Sequence, residues 1–269
     1  MTIDPTDPTD PARPRPRGRG IYLLPNLFTT AVLFSGFYAV VAATDGNFDR
    51  AGIAIFIAMV CDGLDGRIAR WTNTQSDFGR EFDGLSDMVA FGLAPAIVAY
   101  QWGVARIAEY GALWGRLGWL ATFFYAACAA FRLARFNARA AVSDKRYFEG
   151  LPSPSGAALL AGFVWMLNDL QREGLRALVL AFVVALLAGA LMVSRFPYLS
   201  GKDFNLNRRI PFAMLLLVPL GFVVVGSSPP EMLFGLFATY AMSGPLVWTW
   251  RRATRGRRHA RQSGPGMPQ

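Results

Sequence analysis

Eight apolar stretches follow one another along the chain, at about residues 26–44, 51–70, 84–105, 112–134, 155–170, 175–194, 210–227 and 230–250. Each approaches the ~20 mostly apolar residues that a helix needs to cross a bilayer. Short connections rich in Arg, Gly and Pro separate them. The pattern predicts an all-α, polytopic integral membrane protein with about eight transmembrane helices. It divides the chain into a basic, disordered N-terminal tail (1–19), a transmembrane catalytic domain (20–250) and a basic C-terminal tail (251–269). The first 19 residues are rich in Asp, Pro and Arg and lack the short apolar core of a signal peptide.

Composition supports this reading. Of 269 residues, 53% are hydrophobic and 17% charged, against about 25% charged in soluble domains. The net charge of +9 would suit a nucleic-acid-binding protein, but its distribution argues against one. In an eight-span arrangement 22 of the 27 Lys and Arg residues fall on one side. That bias marks the cytoplasmic side. Both termini are therefore expected in the cytoplasm, with the bilayer and not a nucleic acid as partner. The two cysteines, Cys61 and Cys128, lie within apolar stretches and suggest packing, not a disulfide framework or a zinc site.

One polar stretch interrupts the apolar pattern in an ordered way. Residues 62–87 read DGLDGRIARWTNTQSDFGREFDGLSD. Asp62 and Asp65 are three apart and share a helix face; Gly79, Asp83 and Asp87 follow at intervals of four and line a second. A helical hairpin closed by residues 71–78 would set the two faces against each other. Four carboxylates would then form one cup near the cytoplasmic ends of both helices, where a lipid head group and a water-soluble molecule can meet. Four converging carboxylates repel unless a cation compensates them. Oxygen ligands alone suit Mg²⁺, Mn²⁺ or Ca²⁺, and the only histidine, His259, lies far away in the tail. The alternative is a set of rim ion pairs with Arg67, Arg70 and Arg80.

Gly63, Gly66 and Gly79 stand among these acids, although each costs a helix interior about 1 kcal/mol relative to Ala. Close approach of a ligand or a neighbouring helix would account for them. With Arg70 placed to hold a phosphate oxygen, the set suggests a diphosphate substrate. A metal pair can clamp the transferring group, and a carboxylate can take the proton of an attacking hydroxyl.

The stretch reads D-x-x-D-G-x-x-A-R-x8-G-x3-D-x3-D and resembles, at every fixed position, the signature of the CDP-alcohol phosphotransferases. Further similarity, to the bacterial CDP-diacylglycerol–serine O-phosphatidyltransferase branch, lies in IYLLPNLFT (21–29), GREFDGLSDMVAFGLAPA (79–96), FRLARFN (131–137) and GLPSPSGA (150–157). The resemblance covers roughly the first 160 residues. It implies a membrane enzyme of the bacterial cytoplasmic membrane, usually a homodimer, that transfers a phosphatidyl group from CDP-diacylglycerol to the hydroxyl of L-serine and releases CMP.

Carried over by position, Asp62, Asp65 and Asp83 would ligand the metal, Mg²⁺ or Mn²⁺ and as two ions. Asp87 would complete the metal site and act as the base. Gly63, Gly66, Ala69, Arg70 and Gly79 would shape the CDP pocket. Arg132, Arg135 and Asn137 are candidates for contacts to the serine carboxylate or the lipid phosphate, against the simpler reading of the arginines as membrane-edge anchors. The shared motif leaves the acceptor open to glycerol 3-phosphate, inositol or choline. A cation transporter using the acids as an ion path is the remaining reading.

Overall fold

The computed structural model describes residues 23–72, 76–139, 147–172, 174–199 and 226–262. Its elements are α1 (Leu23–Thr44), α2 (Phe48–Thr72), α3 (Asp77–Asp87), a π-helix (Met88–Leu93), α4 (Ala94–Trp102), a 3₁₀ helix (Val104–Tyr110) and α5 (Ala112–Arg139). There follow β1 (Tyr147–Glu149), α6 (Ser153–Asp169), α7 (Leu175–Val193), β2 (Pro197–Leu199) and α8 (Pro229–Gln262). The all-α expectation holds, apart from one two-stranded antiparallel ribbon formed by β1 and β2.

Among the described residues, five helical segments are long and apolar enough to cross a membrane: Asn26–Thr44, Asp77–Tyr110, Ala112–Ala138, Leu175–Val193 and Pro229–Arg252. Two expected spans form helices outside that set. Helix α2 carries Asp49, Arg50, Asp62, Asp65, Arg67 and Arg70, and α6 has only 17 residues. The expected span 210–227 falls almost wholly outside the described residues. Helix α8 runs to Gln262, so the helix continues well into the stretch read from sequence as a tail.

The helices meet through small residues. Ala39, Ala42 and Ala43 of α1 and Ala51, Ala54 and Ala58 of α2 are all buried in one core. In a bilayer lipid tails are as apolar as leucine, so close backbone approach is what holds helices together. Gly36 shows how close: a Cβ there would lie 2.7 Å from the Ala90 Cα. At the other end of α2, Asn168 Nδ2 donates to Asp49 Oδ1 at 2.7 Å and joins the start of α2 to the end of α6.

The span after α3 is not a plain α-helix. Pro95, in the first turn of α4, has no N–H, so the Phe91 carbonyl four residues before it loses its α-helical donor. The chain widens into the π-helix, where the Ala94 N–H reaches back to the Val89 carbonyl. The buried Tyr125 hydroxyl, from α5, donates to the Phe91 carbonyl at 2.9 Å.

The ribbon closes the connections that follow α5 and α7. Gly150 adopts φ +83°, and a Cβ there would lie 2.4 Å from the Met192 carbonyl oxygen; both the conformation and the contact call for glycine. Tyr198 of β2 is fully buried, and its hydroxyl donates to the Ala241 carbonyl of α8 at 2.8 Å. Burial, and then Tyr240, push its pKa up to about 12, so it keeps its proton at neutral pH.

Candidate active site

Helix α2 brings Asp62 and Asp65 round on one face, and α3 returns Asp83 and Asp87 one turn apart. The start of α3 is fixed locally: Ser76 sits in extended conformation (φ −124°, ψ 155°) and its Oγ accepts the Gly79 N–H at 3.0 Å. That is an N-cap, satisfying one of the first-turn donors a helix leaves open. It also sets where α3 begins, and hence which face Asp83 and Asp87 share.

The two helices bring three of the four expected carboxylates together. Asp62, Asp83 and Asp87 each offer an oxygen, and these oxygens lie within 4.8 Å of one another. The fourth, Asp65, is 6% exposed, and its Oδ2 accepts a hydrogen bond from Thr29 Oγ1 of α1 at 2.6 Å.

The cluster fits a divalent cation. Asp83 Oδ1 and Asp87 Oδ1 are buried and have no hydrogen-bond partner among the described residues, which for carboxylates is costly. At an effective dielectric constant near 20, two unit charges 4.8 Å apart repel by roughly 3 kcal/mol. A cation held by these oxygens removes both penalties. The donor set is carboxylate oxygen alone, which suits Mg²⁺, Mn²⁺ or Ca²⁺.

Around the acids the backbone is open on one side. A Cβ at Gly63 or at Gly66 would meet nothing within 4 Å among the described residues, so neither glycine is there to admit a described neighbouring helix. Gly79 differs: a Cβ there would come within 3.1 Å of Ser76 Oγ and 3.6 Å of Asn26 Oδ1 of α1. Ala69 and Arg70 lie in the last turns of α2; their side chains fall outside the described ones.

The three α5 candidates separate. Arg132 is buried, donates from Nη1 to Ser153 Oγ at 2.8 Å, and lies near enough to Asp87 and Asp62 to interact with both charges. Arg135 turns to the main chain instead. Its Nη1 donates to the Val193 carbonyl at 3.1 Å, and its Nη2 to the Glu149 carbonyl at 2.7 Å and the Met192 carbonyl at 3.5 Å. Asn137 Nδ2 lies 3.1 Å from where a Gly84 Cβ would be, which puts its amide against α3 at Gly84.

Several residues at the site carried no functional assignment from sequence. Thr29 was readable only as a small polar residue in the first span, although its three-residue spacing from Asn26 puts both on the α1 face that meets the hairpin. Ser153 stands in the GLPSPSGA stretch with nothing in sequence to set it apart, and its hydroxyl is the Arg132 partner. The signal for the π-helix is Pro95, eight residues beyond Asp87, the last Asp of a helical pattern.

Several relatives cover most of the chain. A protein of Helicobacter pylori strain 26695 named CDP-diacylglycerol–serine O-phosphatidyltransferase is 36% identical over 230 residues, 85% of this chain and 92% of that protein. One of the same name from Methanocaldococcus jannaschii is 36% identical over 196 residues, covering 72% and 82% respectively. A shorter match, 34% over 158 residues, links the chain to a protein of that name from Mycobacterium tuberculosis strain H37Rv, covering 56% of this chain and 52% of the relative. Residues 22–194 match the CDP-alcohol phosphatidyltransferase family, a stretch that contains the whole acidic hairpin, and the chain belongs to that family.

Proposed function

We propose that this protein transfers the phosphatidyl group of CDP-diacylglycerol to L-serine, giving phosphatidylserine and CMP. The observation that carries the chemistry is the convergence of Asp62, Asp83 and Asp87, with buried unpartnered oxygens on Asp83 and Asp87. The serine acceptor rests on the names of the relatives that cover most of the chain.

In this reading Asp62, Asp65, Asp83 and Asp87 hold two divalent ions, Mg²⁺ or Mn²⁺. When bound, these ions neutralise the diphosphate and stabilise the charge that develops on departing CMP. The other contributions come from the chain itself. Asp87 takes the proton of the serine hydroxyl. The freed oxygen bonds to the phosphorus that carries diacylglycerol, the bond from that phosphorus to the CMP oxygen breaks, and CMP leaves with the electron pair. Gly63 and Gly66 leave the α2 backbone uncovered, so a nucleotide can lie directly on it. Gly79, Ala69 and Arg70 complete that pocket, with Arg70 on a phosphate oxygen.

Arg132 and Asn137 supply the acceptor side of the site, the first as a cation for the serine carboxylate. Arg135, with its guanidinium on main-chain carbonyls, serves by holding the frame around them. The Lys and Arg distribution supports a cytoplasmic face for the site and for both termini, in the cytoplasmic membrane of a bacterium. Assembly as a homodimer belongs to the same reading and follows the family's habit.

The test is CMP release by purified protein from CDP-diacylglycerol with Mn²⁺ or Mg²⁺, offering L-serine, glycerol 3-phosphate, inositol and choline separately. Release with serine alone is expected. Release with another alcohol would remove the serine assignment and leave the acid cluster standing. No release with any acceptor, despite bound metal, would favour an ion path through the acids.

A further inference from the structure

Three of the four acids converge, and the fourth is held from outside the hairpin. Thr29 is 3% exposed and Asp65 6% exposed, and the 2.6 Å bond between them joins α1 to α2 across 36 residues of sequence. An O–H···O⁻ bond of that length belongs to the short, charge-assisted class. Its neighbour Thr30 offers a contrast. The Thr30 hydroxyl donates to the Asn26 carbonyl four residues back and is exposed, which is the usual fate of a threonine within a helix. The Thr29 hydroxyl, by contrast, is buried and reaches a carboxylate on another helix. The same α1 face brings Asn26 Oδ1 towards Gly79 on α3, so α1 touches both arms of the acidic hairpin.

We infer that Thr29 is a positioning residue of the metal site: its hydroxyl fixes Asp65 through Oδ2 and leaves Oδ1 as the ligand atom. The inference rests on the reading of the four acids as a divalent-metal site. A carboxylate on a free rotamer would have to be ordered each time metal binds. One already held by a buried hydroxyl meets the ion in a fixed orientation. Partners of this kind to metal ligands change metal affinity by about ten- to a hundredfold when removed.

Direct binding of Mn²⁺ to the detergent-solubilised protein, followed by electron paramagnetic resonance without lipid substrate, tests this. Thr29→Val keeps the size and branching of the side chain and deletes the hydroxyl; Thr29→Ser keeps the hydroxyl. The valine variant is expected to bind Mn²⁺ at least about tenfold more weakly, the serine variant within about threefold of the unaltered protein. In Asp65→Asn the further change Thr29→Val is expected to cost little, because the partner of the bond is already gone. Unaltered affinity in Thr29→Val would overturn the role of Thr29 while leaving the metal site intact. Equal loss in the serine and valine variants would overturn it too, as would a lowered melting temperature in Thr29→Val with normal Mn²⁺ affinity. If the unaltered protein shows no saturable Mn²⁺ binding, the metal site itself fails.

Discussion

At the acidic corner, Asp83 and Asp87 each keep a buried oxygen with no hydrogen bond to a described residue, and a Cβ at either of two glycines would meet no described atom within 4 Å. At the adjoining arginine corner the pattern is the reverse. Arg135 reaches three main-chain carbonyls, Arg132 reaches Ser153, and Gly150 fits tightly against the end of α7. Both corners are strongly charged and both lie where helices end. One leaves two of its carboxylate oxygens unmet by described residues; the other spends its polar groups on holding elements together. Folding alone would not retain the first arrangement, since crowded unpaired carboxylates cost stability. The difference separates residues kept for a ligand from residues kept for the frame.

The largest expected effect lies at the acidic corner. Asp87→Asn should lower the rate of CMP release by at least about a hundredfold, the lower end of what a positioned base supplies. The melting temperature of the metal-free protein should stay the same or rise, because one charge leaves the crowd. A variant that is inactive and also much less stable would place Asp87 in the frame instead.

Arg135→Ala should behave in the opposite way. It removes hydrogen bonds to the Glu149, Met192 and Val193 carbonyls, and bonds made by a charged group contribute about 1.5–3 kcal/mol. The expected result is a melting temperature lower by several degrees, a smaller fall in rate, and a serine KM changed by less than about threefold. A large rise in serine KM at normal stability would return Arg135 to the acceptor site.

The smallest effect sharpens the comparison within one residue type. Gly63→Ala meets no described atom within 4 Å and should raise stability by up to about 1 kcal/mol, the gain from replacing glycine in a helix interior. Its KM for CDP-diacylglycerol should nevertheless rise severalfold. An unchanged KM would show that the nucleotide does not lie on this part of α2.

Much of the acidic corner was legible because its signal is local. Asp62 with Asp65, and Asp83 with Asp87, are spaced by helix geometry, and a hairpin brings the pairs together. The parting of Asp65 towards Thr29 was not legible, since it depends on how α1 lies against α2, a contact 36 residues apart in sequence. The roles of Arg132 and Arg135 were equally hidden. Three residues apart on one helix, they differ by what α6, α7 and β1 place before them. The β1–β2 ribbon went unread for a similar reason, because it pairs two three-residue strands from separate connections. The π-helix combines both cases: Pro95 announces a break locally, but the Tyr125 hydroxyl that meets the Phe91 carbonyl comes from the next helix.

In the proposed reaction the converging carboxylates carry a metal-assisted transfer to serine. Its most direct test is CMP release from CDP-diacylglycerol and L-serine, measured on the purified protein after chelation and again as Mn²⁺ or Mg²⁺ is restored. No release is expected in chelator, with saturable recovery as metal returns. Undiminished release from the metal-stripped protein would contradict it.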